Sequence, residues 1–146
     1  MHSGRQCGTL PGAMRWNLIL DWSGTLVDDL TPVWKTTNRV LARCGRPTKT
    51  LDEFRREFQL PVSRCYAHWA PGMGAAELEA MFVAEYAPYR QEIAPLPVAR
   101  AFLEFCRAQR WPVFIASTVD PETYHTQMAR FDLERFVQKP YTGIVD

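Results

Sequence analysis

Two short apolar runs limit what this chain can fold into. Residues 16–21 (WNLILD) are mostly apolar until they end in an acid, and residues 111–116 (WPVFIA) are apolar until they meet Ser117-Thr118. Runs of this length without polar alternation predict strands buried on both faces, as in a parallel sheet. The proline of the second run stands at its start, where a missing backbone donor is tolerated. Parallel strands need a long crossover between them, and the intervening chain reads as helix almost throughout.

Thr31-Pro32 supplies an N-cap and a first-turn proline, so a helix is expected to about Cys44, with Val33, Thr37, Val40 and Leu41 along one side. Gly45 stops it and Pro47 prevents continuation. Thr50 and Glu53 have capping-box spacing, and Phe54 and Phe58 follow one turn apart. Pro61 is expected to open a helix running toward Trp69, halted by Pro71-Gly72. Residues 75–86 read as a strongly amphipathic helix with Leu78, Met81, Phe82 and Tyr86 on its apolar side. No strand signal occurs between residues 29 and 93. Residues 98–109 predict a helix with Ala101, Phe102, Phe105 and Cys106 on its inner face. Asp120-Pro121 starts a further helix to about Phe131, and a third strand is expected within residues 136–145.

The order of strand, helical block, helix, strand, helix, strand predicts a doubly wound α/β sheet with a helical insertion after its first strand. Residues 14–28 and 94–146 would form the α/β core, residues 29–93 a helical cap, and residues 1–13 a disordered or non-native extension. Met14 immediately precedes the first strand, and the stretch before it (MHSGRQCGTLPGA) lacks the apolar centre of a secretory signal. Translation is therefore expected to start at Met14.

The chain is 47% hydrophobic and 23% charged, a globular composition. Its net charge of +1 comes with no basic block, which argues against nucleic acid or an anionic membrane as a partner. Cys7, Cys44, Cys65 and Cys106 are scattered and form no CxxC pair, so reduced thiols in a cytoplasmic protein are expected. No apolar run approaches the ~20 residues needed to span a bilayer.

Asp21 falls at the carboxyl end of the first strand, where open parallel sheets place their ligands. Gly24 permits a tight turn beside an anion, and Thr25 adds a hydroxyl donor. A free carboxylate there can attack phosphorus or carbon and form a covalent intermediate. Alternatively, Asp21 only terminates the strand and caps the turn.

Residues 21–28, Asp-Trp-Ser-Gly-Thr-Leu-Val-Asp, resemble the first motif of the haloacid dehalogenase (HAD) superfamily, usually Asp-x-Asp-Gly-Thr-Leu-x-Asp. Leu96-Pro97, a helix and then VFIAST resemble its second motif, a strand ending in Ser or Thr. The helical segment between them is similar to the mobile cap of the phosphoglycolate-phosphatase-like subgroup. The resemblance covers residues 14–146. It implies a HAD-like Rossmannoid sheet and a magnesium-dependent phosphatase acting on a small phosphorylated metabolite. Asp21 would be the nucleophile, forming an aspartyl-phosphate, and would bind Mg²⁺ together with the Ser23 carbonyl. Ser117 and the turn amides from Trp22 through Gly24 to Thr25 would hold the phosphate oxygens.

Two departures from the family pattern bear on this. Ser23 stands where the family has its acid/base aspartate, so it would occupy that catalytic position without a titratable group; losing such a group typically costs ~10²–10⁴-fold. Phosphonatases carry alanine there and use a cap lysine as a Schiff base, for which only Lys35 and Lys49 exist here. Dehalogenases also replace that aspartate, because a leaving halide needs no proton. The leaving group stays open among these three. Secondly, the family's third motif, a lysine, and its fourth, an acidic pair, would lie beyond Asp146. Lys139 comes too early and reads as a surface residue. The expectation is a sheet incomplete through truncation, with residues 16–21 as an exposed apolar edge prone to association. A non-catalytic remnant is the alternative of a different class.

Of the remaining polar residues, His68 is expected to be a partly buried structural histidine and His125 helix surface. Arg55, Arg56 and Arg64 read mainly as solvated faces, while Trp34, Trp69, Phe82 and Tyr86 read as cap core.

Overall fold

A computed structural model describes residues 15–60 and 62–143. The expectations for residues 1–13, for a start at Met14 and for Pro61 as a helix opener lie outside the described residues. In chain order the elements are β1 (Leu18–Leu20), β2 (Val27–Asp28), α1 (Leu30–Arg43), α2 (Leu51–Glu57), α3 (Val62–Trp69) and α4 (Ala75–Tyr86). A 3-10 turn at Ala87–Glu92 leads into β3 (Ala94–Pro95), α5 (Ala99–Ala108), β4 (Val113–Ala116) and α6 (Pro121–Phe131). A second 3-10 turn, Glu134–Phe136, precedes β5 (Val137–Tyr141).

The expected parallel sheet is present, with three strands in the order β1-β4-β5. Leu18 pairs with Val113 and Leu20 with Ile115, which sets Leu18 and Leu20 beside two fully buried residues on one face. Ile19 points the other way and is 72% exposed. Burial on both faces, expected for this run, therefore fails in β1. Alternate side chains of a strand face opposite sides, and no described element covers the Ile19 side of this edge strand. Among the described residues β1 is an edge strand of the sheet.

Apolar side chains gather in two clusters. One joins Trp22, Leu26 and Val27 to Leu103, Ile115, Tyr124 and Leu133 around the sheet. The other joins Val40, Leu41, Phe54, Cys65, Trp69 and Leu78 within the helical block. Trp34 and Phe82 pack against the helical cluster as expected, but Tyr86 packs against the sheet cluster.

The helices follow their local signals with three corrections. First, α1 begins earlier than expected, with Asp29 as N-cap and Thr31-Pro32 inside the first turn. Pro32 is tolerated there because first-turn amides lack intrahelical acceptors anyway. Secondly, only Leu78 of α4 is fully buried and Val83 is 55% exposed, because the apolar residues of AAELEAMFVAEY run round every side. Thirdly, α5 buries Ala99, Leu103 and Cys106, while Ala101, Phe102 and Phe105 face outward. This helix carries two apolar stripes, and the one with the smaller residues meets the sheet; Phe105 instead packs edge-on against Trp111.

Other signals hold. Thr50 and Glu53 form the capping box, with each residue's backbone N–H bonded by the other's side chain. The Phe54 and Phe58 rings lie 5.1 Å apart. Asp120 caps α6 by accepting the Thr123 amide at 2.8 Å, with Pro121 at the first helical position.

Between residues 27 and 95 the chain closes a device with no sequence signal: β2 and β3 pair antiparallel, Val27 with Pro95 and Asp28 with Ala94. Two-residue strands are too short to show a period. This ribbon brings together the two ends of the helical block. Arg130 on α6 holds the second end by donating to the carbonyls of Arg90, Gln91 and Ile93. No helix among the described residues is long and apolar enough to cross a membrane.

Candidate active site at the carboxyl edge of the sheet

The site is built where β1 and β4 end. Leu20 is in register with Ile115, so Asp21 falls level with Ala116, one residue short of Ser117. Adjacent strands lie about 4.8 Å apart, which places Asp21 and Ser117 on one edge. Asp21 is exposed, and its Oδ1 accepts the Trp22 amide at 2.6 Å. Ser117 is 5% exposed. Its amide donates to the Tyr141 carbonyl at 3.0 Å, and its hydroxyl accepts the Val119 amide at 3.4 Å. The strand ends thus bring the two residues together, although most of the chain separates them in sequence.

The turn after Asp21 is closed by its own backbone. The Trp22 carbonyl accepts amides from Thr25, Leu26 and Val27, and the Gly24 amide donates to the Val27 carbonyl at 2.9 Å. Gly24 sits at φ +69°, a region that favours glycine. The amides of Trp22, Gly24 and Thr25 are therefore already engaged, while Gly24 and Thr25 themselves are exposed. An incoming anion would compete for those donors or use side-chain hydroxyls.

The Trp22 side chain has a structural task that the sequence did not disclose. Its indole is fully buried, donates to Gln127 Oε1 at 2.6 Å and meets the Tyr124 ring edge-on at 4.9 Å. The turn bearing Asp21 is thereby bolted to α6. Gln127 was not foreseen, because its burial depends on how α6 lies over the turn.

Asp29 is the other unforeseen group. Its half-buried carboxyl makes no cap bond to α1 and instead accepts the Ser23 hydroxyl. Burial pushes its pKa above the usual carboxylate range, against the lowering effect of that hydrogen bond. Its only sequence signal was the doubled acid, Asp28-Asp29, closing the first motif.

The remaining candidates separate clearly. Lys35 pairs with Glu92 at 2.6 Å and Lys49 with Glu57 at 2.6 Å, so both cap lysines are held by carboxylates. Lys139 is exposed on β5, as expected, its Nζ 4.9 Å from the Tyr141 ring centroid. His125 is exposed on α6, as expected; His68 is exposed as well, which corrects its reading as a partly buried residue. It follows Ala67 on the outer side of α3, whereas Tyr66 and Trp69 take the inner side. Arg55, Arg56 and Arg64 are all exposed. Cys44, Cys65 and Cys106 are free thiols. Among the described residues, no three His, Cys, Asp or Glu side chains converge as a metal centre.

No protein-family model and no curated protein matches this chain. Solved structures do. A haloacid dehalogenase-like hydrolase from Bacteroides fragilis aligns with a TM-score of 0.76 at 17% identity, over 91% of this chain and 66% of its own. A haloacid dehalogenase-like family hydrolase from Streptococcus pneumoniae aligns with a TM-score of 0.75 at 19% identity, over 88% of this chain and 61% of its own. A predicted phosphoglycolate phosphatase from Haemophilus somnus aligns with a TM-score of 0.70 at 18% identity, over 90% and 64%. The chain thus spans somewhat less than two thirds of these structures. The likeness extends over the parallel sheet and the inserted helices alike, and by it this chain has the haloacid dehalogenase-like fold.

Proposed function

We propose that this chain carries the nucleophile of a phosphatase site, with Asp21 attacking a small phosphorylated metabolite to form an aspartyl-phosphate. The observation that carries the reading is the placement of an exposed carboxylate, Asp21, beside Ser117 at the carboxyl ends of two parallel strands. Ligands of open α/β sheets bind at such an edge. Ser117 and Thr25 supply hydroxyls for phosphate oxygens. The Trp22–Gln127 bond holds the turn rigid, so that positioning, the main protein contribution to phosphoryl transfer, is met by the scaffold.

Magnesium is part of this proposal. The donors at this edge, the Asp21 carboxylate and the Ser23 carbonyl, suit an ion that takes few protein carboxylates together with substrate phosphate and water. When bound, it would neutralise charge on the phosphoryl group. The division into an α/β core and a helical cap at residues 29–93 and a cytoplasmic setting belong to the same reading. The fold and the phosphatase description of one structural neighbour support it.

Dehalogenation at the same Asp21 is the second reading, favoured by Ser23, whose hydroxyl has no acidic proton to give a leaving group near neutral pH. Schiff-base phosphonate cleavage is disfavoured by the ion pairs that hold Lys35 and Lys49. The test is phosphate release from a panel of small phosphomonoesters with and without Mg²⁺, run beside halide release from 2-haloacids. The expected result is magnesium-dependent phosphate release that Asp21→Asn abolishes. Halide release alone would favour the second reading, unchanged turnover in Asp21→Asn would remove the nucleophile assignment, and no turnover of either kind would leave a non-catalytic protein.

A further inference from the structure

A cavity of about 650 Å³ opens between α3 and α4, in the helical block. That volume lies within the range of small-molecule sites. The space exists because residues facing it are short: Ala67 from α3, Ala70 just after that helix and Ala75 from α4. Leu78, Phe82 and the Tyr66 ring make larger apolar walls, and the Tyr66 hydroxyl is itself buried. α4 is apolar on every side yet fully buries only Leu78, so it presents apolar surface that its own fold does not use. Burying such surface against a ligand is favourable in proportion to the area removed from water.

One charge stands among these walls. Glu79 is exposed and has neither an ion pair nor a side-chain hydrogen bond with the described residues. Glu57, Glu85 and Glu92 of the same block are matched, by Lys49, by Arg39 and Arg43, and by Lys35, whereas Glu77, outside the cavity lining, has no ion pair with the described residues either. The cavity thus combines an apolar interior with an unmatched carboxylate, which is complementary to a molecule with an apolar body and a cationic end.

We infer that the space between α3 and α4 is a binding site for a small amphipathic amine, its apolar part against Leu78 and Phe82 and its ammonium group at Glu79. The site is separate from the carboxyl edge of the sheet and does not depend on the phosphatase reading.

The test is calorimetric titration of the full chain with primary n-alkylamines from butylamine to octylamine, and with the corresponding alcohols. Saturable one-to-one binding is expected, with affinity rising about fourfold per added methylene until the cavity is filled. The amine should bind about two- to fivefold more tightly than the alcohol of equal length, the range for an exposed ion pair, and Glu79→Gln should erase that preference. Ala67→Trp, which fills the cavity from an exposed position, should abolish binding. Absence of saturable octylamine binding would overturn the inference, as would equal affinity for amine and alcohol. Should Ala67→Trp not fold, as judged by circular dichroism, the Glu79→Gln comparison decides, because that exposed side chain makes no ion pair or hydrogen bond with the described residues.

Discussion

Two residues on α6, 124 and 127, should respond in opposite directions to loss of a polar group. Both touch Trp22, and both are buried. Gln127 accepts the Trp22 indole N–H at 2.6 Å. In Gln127→Met the volume is nearly kept, but that N–H is left buried without an acceptor, which costs ~1–3 kcal/mol. Tyr124 is the converse. Its hydroxyl is buried without a hydrogen-bond partner among the described residues, and burial pushes its pKa up to about 12. Folding strips that hydroxyl of water without replacement, a loss of ~1–3 kcal/mol by mutational comparison. Tyr124→Phe removes the loss and keeps the ring against Trp22, so it should stabilise by about 1 kcal/mol or more. For a chain of this size 1 kcal/mol moves the melting temperature by roughly 3–5 °C. Thermal and urea unfolding of the two single variants, followed by circular dichroism, give both signs in one experiment. The reasoning is refuted if Tyr124→Phe destabilises by more than about 1 kcal/mol, for the hydroxyl must then be paired. The double variant should not be additive, since both changes meet at the same indole.

Two further expectations follow from the packing and the charges. Leu103→Ala should destabilise by ~2–5 kcal/mol and Phe102→Ala by ~1 kcal/mol or less, because α5 turns Leu103 into the core and leaves Phe102 41% exposed; equal losses would mean that the helix is rotated. Glu85 accepts hydrogen bonds from Arg39 and Arg43, which hold its pKa below the ordinary 4.5. Its contribution is complete above the unfolded value and is lost as pH falls through the lower folded one. Acid unfolding of Glu85→Gln should therefore show a shallower loss of stability below pH 4.5 than the unaltered chain, and identical acid profiles would contradict the pairing.

Much of this architecture was legible in the residues because local chemistry dictated it. The capping box at Thr50 and Glu53, the stop at Gly45 and the start at Asp120-Pro121 each depend on groups within a few positions of one another. Strand runs were equally local, and their separation by a helical stretch required an insertion after the first strand. The first motif singles out Asp21, and the polar end of the second run Ser117, as candidates only.

Other features were decided only when distant segments met. Which stripe of α5 is inward depended on the shape of the sheet, since both stripes are apolar and periodicity alone cannot rank them. The exposure of Ile19 depended on which strand lies beside β1, a non-local matter. β2 and β3 pair across the whole helical block and are too short to announce themselves. The motif points to Trp22 only through its amide, yet its indole ties the turn to Gln127, a residue 105 positions away. The Asp21 carboxylate could be named from the chain because a motif is a local pattern; what holds it in place could not, because that rests on contacts the fold alone creates.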